Sequence, residues 1–246
     1  MSTGYDLSCT TLSQEGRIYQ LEYANKAVEK GSTVMGIIFK DGVVLISEKI
    51  RQSRAIIHGS NQTVYSVAPH IGVAICGLLP DGRNIASRAK LEASNYLKIY
   101  GIPITGQILA ERLAIYVHTF TCHWSARPFG CCVLISSYDA GKYHLYMLEN
   151  SGNFFEYYAC ANGKGKQFVK AEVEKNNFVI RENTVKQGIN SALKILMRSY
   201  EGEKETEYDV GVISDETKGK HELIQNRFVE EAKNKLRGEI EKEKTK

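Results

Sequence analysis

Segments patterned as strands and segments patterned as helices arrive in blocks along this chain, and that order restricts its fold more than any single residue does. After a short helical stretch come two pairs of β-branched runs, at residues 33–39 and 42–47 and at 63–67 and 71–76. The first pair is joined by Lys40-Asp41-Gly42, and a glycine near the turn between two such runs is a hairpin signal. Two helical patterns follow. One opens at Asp81, read as an N-cap, with Ile85, Ala89, Ala93 and Leu97 at four-residue intervals; the other follows Thr105 with Leu109, Leu113, Tyr116, Val117 and Phe120. Beyond Pro128, CCVLISSY, KYHLYMLE and NFFEYYAC are separated by Asp139-Ala140-Gly141 and Asn150-Ser151-Gly152, which predicts a three-stranded antiparallel meander. Helical patterns near 164–175 and 184–200 precede short strands at 207–213 and 220–224.

A parallel doubly wound sheet needs a helix between successive strands, so blocks of strands argue for antiparallel sheets with helices outside them. The expected fold is α+β, a four-layer αββα sandwich of two stacked antiparallel sheets flanked by helices. No short period repeats, which argues against a solenoid or propeller. At 246 residues and 43% hydrophobic content, one domain over 1–246 is expected. Within it, residues 17–29 place Ile18, Leu21, Ala24 and Val28 on one face of an N-terminal helix, preceded by a leader at 1–15. The mixed-charge end, from 238 to 246, predicts a helix fraying into a solvated tail.

Lys and Arg number 32 against 28 Asp and Glu, interleaved along most of the chain, so no single-sign patch for nucleic acid is expected. The start, MSTGYDLSCTT, lacks the basic segment and apolar run of a secretory signal, and no stretch approaches the roughly 20 apolar residues of a membrane span. Neither nucleic acid nor membrane is an expected partner. Cys9, Cys76, Cys122, Cys131, Cys132 and Cys160 form no CxxC pair and lack the spacing of a zinc site or disulfide framework. They read as reduced thiols of a protein of the cytoplasm and nucleus, with no metal and no cofactor.

Catalytic motifs are few. NGKGK at 162–166 leads into a helix, but without GxxxxGK[ST] or a GxGxxG after a strand it reads as a glycine-rich helix entry. His58, His70, His118, His123, His144 and His221 include no HExxH and stand in no recognisable relation to a nucleophile motif; His118 is expected to be a packed or surface residue. Cys131 and Cys132 alternate on a strand, so one is expected in the core and the other elsewhere.

Two stretches, GYDLS at 4–8 and GRIYQLEYANKAVEKGSTVMGI at 16–37, resemble the N-terminal signature of proteasome alpha subunits. The likeness continues through DGVVLISEK at 41–49, GLLPDGR at 77–83, RPFG at 127–130 and LYMLENSG at 145–152, nearly the whole chain. Tyr5-Asp6-Leu7, where Tyr-Asp-Arg is commoner, is similar to the branch at the seventh position of the eukaryotic alpha ring. In two respects the chain departs from that branch: Ser13-Gln14-Glu15-Gly16 replaces a Ser-Pro-Asp-Gly turn, and the long acidic C-terminal tail is missing.

The resemblance implies the N-terminal-nucleophile hydrolase fold and a structural role in a seven-membered ring, with beta subunits, regulatory or activator particles and unfolded polypeptide in transit as further partners. It implies gate and ring contacts at Gly4, Tyr5, Asp6, Leu7, Gly16, Arg17, Gln20, Glu22 and Tyr23. Catalytic relatives use a chain-start threonine as nucleophile and base, with an acid and a lysine; the corresponding positions here are Ser32, Glu48 and Thr63. The acid is kept, the lysine is not, and Ser32 follows 31 residues, so no catalytic residue is expected. Thr63 also falls where the family offers a lysine to an activator's tail carboxylate. Two rivals remain: an amidohydrolase self-processed at Gly31-Ser32, and an RNA-associated scaffold suggested by the mild positive charge.

Overall fold

The computed structural model describes residues 4–200, apart from 52, 54 and 58, and residues 205–244; the first three leader residues and His58 thus lie outside the described residues. In chain order the elements are α1 (Tyr19–Glu29), β1 (Val34–Phe39), β2 (Gly42–Ile50), β3 (Val64–Ala68), β4 (Ile71–Gly77), α2 (Leu79–Tyr100), α3 (Gly106–Thr119) and β5 (Cys131–Asp139). There follow β6 (Lys142–Leu148), β7 (Phe154–Glu156), β8 (Ala159–Asn162), α4 (Lys166–Glu182), α5 (Val185–Ser199), β9 (Thr206–Ser214), β10 (His221–Leu223) and α6 (Asn226–Lys244). The strands form two antiparallel five-stranded sheets, ordered β10-β9-β2-β1-β8 and β3-β4-β5-β6-β7.

Side chains alternate across a strand, so a sheet covered on both faces reads as a continuous apolar run. In β2, Val43 and Leu45 enter the layer between the sheets, with Val34, Val64, Leu134 and Leu145. Val44 and Ile46 enter the layer beneath the outer helices, with Met35, Val169, Leu193 and Val210. The third layer joins the second sheet to α2 and α3 through Val73, Ile75, Ala89, Leu109, Leu113 and Ile135. The four-layer sandwich is therefore present. No helix among the described residues is long and apolar enough to cross a membrane.

Five local expectations change. Asp81 is no N-cap; the helix starts two residues earlier behind Leu78, and the Asp81 carboxylate instead accepts from the Gly130 amide at 2.9 Å and pairs with Arg127 at 2.6 Å. NFFEYYAC is not one strand. Tyr157 N–H still donates to Leu145 O in the second sheet, whereas Tyr158 O accepts from Ile38 N–H in the first, both at 2.8 Å, so the chain changes sheets between adjacent tyrosines. Cys131 and Cys132 are both core, on opposite faces of a strand that is covered on both sides. The first helix begins at Tyr19 because a turn holds Arg17, whose carbonyl accepts from Ser13 N–H at 2.9 Å. Finally, α6 carries the expected tail in helical form through Lys244, extending a helix anchored on the first sheet by Val229 and Leu236.

His221 lies in β10 with its ring against two glycines; a Cβ on Gly72 would sit 2.2 Å from its Nε2, and one on Gly211 2.4 Å away. Nδ1 lies 2.7 Å from Ser66 Oγ, while Nε2 is buried with no hydrogen-bond partner among the described residues. Burial lowers its pKa from 6.5 to about 4, so the folded chain holds the imidazole neutral. Because the folded value lies below the unfolded one, this stability is complete above pH 6.5 and is lost as pH falls toward 4, by about 3 kcal/mol in all. Urea denaturation of the purified chain between pH 7.5 and 4 should therefore show a shallower loss in His221→Asn than in the parent. Equal slopes would remove His221 as the cause.

Candidate functional site

The leader is tied to the body at three places. Cys9, nearly fully buried, sets its Sγ 3.1 Å from His123 O and 3.4 Å from Ala126 O in the loop after α3. Gly16, at φ +75°, closes a turn in which its N–H donates to Ser13 O at 2.9 Å and Arg17 N–H donates to Ser13 Oγ at 3.0 Å, so Gln14 and Glu15 support this turn without proline. The first turn of α1 makes the third tie, because Gln20 Nε2 donates to Asp6 O.

Arg17 faces Glu22 with two parallel bonds, Nε to Oε1 at 2.7 Å and Nη2 to Oε2 at 2.6 Å. The pair pushes the guanidinium further up and holds the Glu22 carboxyl below its usual range, but both groups are solvated and the geometry fixes direction more than it adds stability. Tyr23 is about half exposed, with the Lys26 ammonium 5.4 Å from its ring centre. Gly4, at φ +77°, is exposed; Tyr5 and Asp6 are half-buried, and Leu7 is 82% exposed. One carboxylate oxygen of Asp6 is buried without a partner among the described residues.

Helix α1 leads straight into the positions where a nucleophile would stand. Val28 is buried, and a Cβ on Gly31 would fall 2.7 Å from Gly77 N, so only glycine lets the chain pass this closely. Gly31 O accepts the Lys164 amide at 3.0 Å and Ser32 O accepts the Cys76 thiol at 3.3 Å, so the Gly31-Ser32 junction is held from both sides. No hydrogen bond joins the Ser32 hydroxyl to a base among the described residues. Between α1 and the sandwich lies a polar cavity of about 480 Å³, lined by Glu22, Lys26, Glu149, Asn150, Asn162 and Lys166 among others.

Glu48 and Thr63 lie on opposite sides of the first sheet. Glu48 shares the helix side of the first sheet with Val44, Ile46 and Tyr208; its Oε2 accepts from Thr33 N–H at 3.3 Å and its Oε1 is buried without a partner among the described residues. Burial pushes its carboxyl up, against hydrogen bonds from Thr33 and the charge of Lys164. Thr63 is bound on the opposite side, where its N–H and hydroxyl both donate to Asp209 Oδ2 at 2.8 and 2.9 Å. Asp209 Oδ1 in turn accepts from Lys49 Nζ at 2.6 Å, and Glu207 lies 3.6 Å from the same ammonium. Sequence reasoning named Thr63 and Glu48 but missed Lys49, Asp209 and the Cys9 anchor, because side-chain partners across a sheet leave no spacing signal.

Residues 28–213 match the family profile described as Proteasome subunit, and residues 5–27 match the N-terminal signature of the A-type members of that family. The chain belongs to the proteasome subunit family. It is 44% identical to the alpha type-3 proteasome subunit of Oryza sativa subsp. japonica, across 95% of this chain and 94% of that protein. It is 37% identical to the alpha type-3 subunit of Acanthamoeba castellanii, across 99% and 96%. To the probable alpha type-7 proteasome subunit of Saccharomyces cerevisiae it is 38% identical, across 94% of this chain and 82% of that longer protein. The alpha-type signature of this proteasome subunit coincides with the leader and α1, the segments whose ties are described above.

In this subunit Lys49 has a 7% exposed side chain, so removing Asp209 takes away its 2.6 Å partner and leaves the buried ammonium the longer 3.6 Å contact to Glu207. Asp209→Ala is expected to cost about 3–5 kcal/mol in urea denaturation, whereas Thr63→Val, which deletes one hydroxyl donor, should cost only about 1 kcal/mol. Similar small losses in both variants would show that the Lys49–Asp209 pair is not held as described.

Proposed function

We propose that this proteasome subunit is a structural, non-catalytic member of the core particle's alpha ring, serving ubiquitin-dependent and other protein degradation in the cytoplasm and nucleus. The observation that carries it is the division of the nucleophile positions. Ser32 is embedded in continuous chain, Glu48 points to the helix layer, and Thr63 is bound to Asp209 on the other side of the sheet. A hydrolase of this architecture needs a free amine, an acid and a lysine around one hydroxyl; here the acid is present beside Thr33, but the Ser32 nitrogen is a peptide nitrogen and Thr63 stands in place of the lysine.

The working partners on this reading are six other alpha subunits in a seven-membered ring, a ring of beta subunits, regulatory particles and unfolded polypeptide in transit. The leader lines the pore entrance, where the half-buried Tyr5 phenol donates to, and Asp6 accepts from, a neighbouring subunit's leader; the Asp6 oxygen that is buried without a partner among the described residues becomes available only as the leader shifts on ring assembly. Leu7 brings an exposed apolar side chain to the gate and no guanidinium. Thr63 is buried with its hydroxyl donated to Asp209, and it offers no ammonium to an activator's tail carboxylate, which weakens this pocket for such a tail.

The test is purification of the C-terminally tagged chain from its host, followed by labelling with a threonine-directed covalent peptidase inhibitor. The chain should travel with alpha and beta subunits in an active particle in which the inhibitor labels only other subunits. Deleting residues 2–12 should raise the particle's basal peptide hydrolysis. A tagged chain that runs alone and takes the label would overturn the structural role, and unchanged hydrolysis on deletion would overturn the gate role.

A further inference from the structure

Five of the six thiols, those of Cys9, Cys76, Cys131, Cys132 and Cys160, are buried or half-buried, and burial pushes Cys76, Cys131, Cys132 and Cys160 up, away from the thiolate. Cys122 is exposed, one turn past the end of α3, and its Sγ lies 3.5 Å from Nε2 of His118, which is also exposed. The neighbours of that imidazole decide its tautomer. Nδ1 is 3.2 Å from Ser151 O, a carbonyl that can only accept, and 3.2 Å from Thr121 Oγ1, whose own proton goes to His118 O at 2.7 Å. Nδ1 therefore carries the hydrogen, and Nε2 presents a lone pair to the Cys122 thiol. The turn that supplies the carbonyl sits tightly on the helix, since a Cβ on Gly152 would fall 2.8 Å from His118 Cβ. A nucleophile beside a base whose ring is oriented by a third group is the arrangement that activates thiols.

We propose that Cys122 is a covalent modification site at which the thiol, giving its proton to His118, exchanges with a small disulfide to form a mixed disulfide. The S–H proton passes to His118 Nε2, and the thiolate attacks one sulfur of the disulfide. The S–S bond breaks, and the leaving thiolate takes the proton back from the imidazolium. One thiol and one disulfide enter and one of each leaves, so no outside oxidant or reductant is needed. The groups that meet the imidazole, Ser151 O and Gly152 from the β6–β7 turn and Thr121 and Cys122 from the loop after α3, are all uncharged. The loop that carries Cys122 is also the loop whose carbonyls hold Cys9, so an adduct stands on the leader's anchor.

The experiment treats the full-length chain with oxidised glutathione across pH 6 to 8 and follows the site and rate of adduct formation by peptide mass spectrometry. Cys122 should be modified ahead of every other cysteine, with a rate that rises by much less than tenfold per pH unit. His118→Asn should slow it about tenfold at pH 7, where an unassisted thiol of pKa about 8.5 is only a few per cent ionised, and restore the full pH slope. Adduct forming first at another cysteine, an ordinary tenfold-per-unit slope in the parent chain, or an unchanged rate in His118→Asn would each overturn the proposal. The parent-chain pH profile stands as a test whatever the variant does to folding.

Discussion

Gly31 passes so close to the Gly77 backbone that there is no room for a side chain at Gly31, and the position of everything N-terminal to β1 follows from that contact. It seats α1 against the end of the sandwich, buries Val28, and lets the Cys76 thiol reach the carbonyls of Val28 and Ser32. Ser32 is thereby the third residue beyond a docked helix. The same seating forms one wall of the polar cavity beside Asn162 and Lys166, so residues 19–29 occupy the approach to the nucleophile positions. The leader is ordered in turn, through Gln20 on α1 and through Cys9 in the loop after α3.

Sidedness of the first sheet is the second constraint. Adjacent residues on β2 face different layers, so Glu48 and Lys49 cannot serve one site: the first looks into the helix layer and the second is joined to Asp209. A lysine buried this deeply is tolerable only with a carboxylate at hydrogen-bond distance, and Asp209 provides it while also fixing Thr63. The positions that make a hydrolase in catalytic relatives are here bound into structural contacts. Fold alone does not fix chemistry, so the proposed structural role rests on these contacts and not on the architecture.

Much of the architecture was legible because long apolar periodicities report which face is covered. The block order predicted two antiparallel sheets, and the four-residue spacing of Ile85, Ala89 and Ala93 marks the buried face of α2. What failed depends on contacts distant in sequence. Asp81 has the chemistry of a cap but is drawn to Arg127 and the Gly130 amide, 49 residues away in sequence in the latter case. Tyr157 and Tyr158 look alike in a strand, yet they bond to different sheets because Leu145 and Ile38 stand on either side of them. Of the site, the leader and α1 were recognisable from the motif they carry, and Glu48, Ser32 and Thr63 from the family resemblance. Lys49 and Asp209 were invisible, since a Lys after an apolar strand normally marks its solvated end.

The central claim is that residues 4–31 are a permanent part of the folded protein and that Ser32 is never freed. Mass spectrometry of the intact chain, taken from the assembled particle in its host, tests this most directly. The account predicts a mass that includes the leader and α1, with the Gly31-Ser32 bond uncut. A mature chain beginning at Ser32, with a free amine beside its hydroxyl, would contradict it and return the chain to the enzymes.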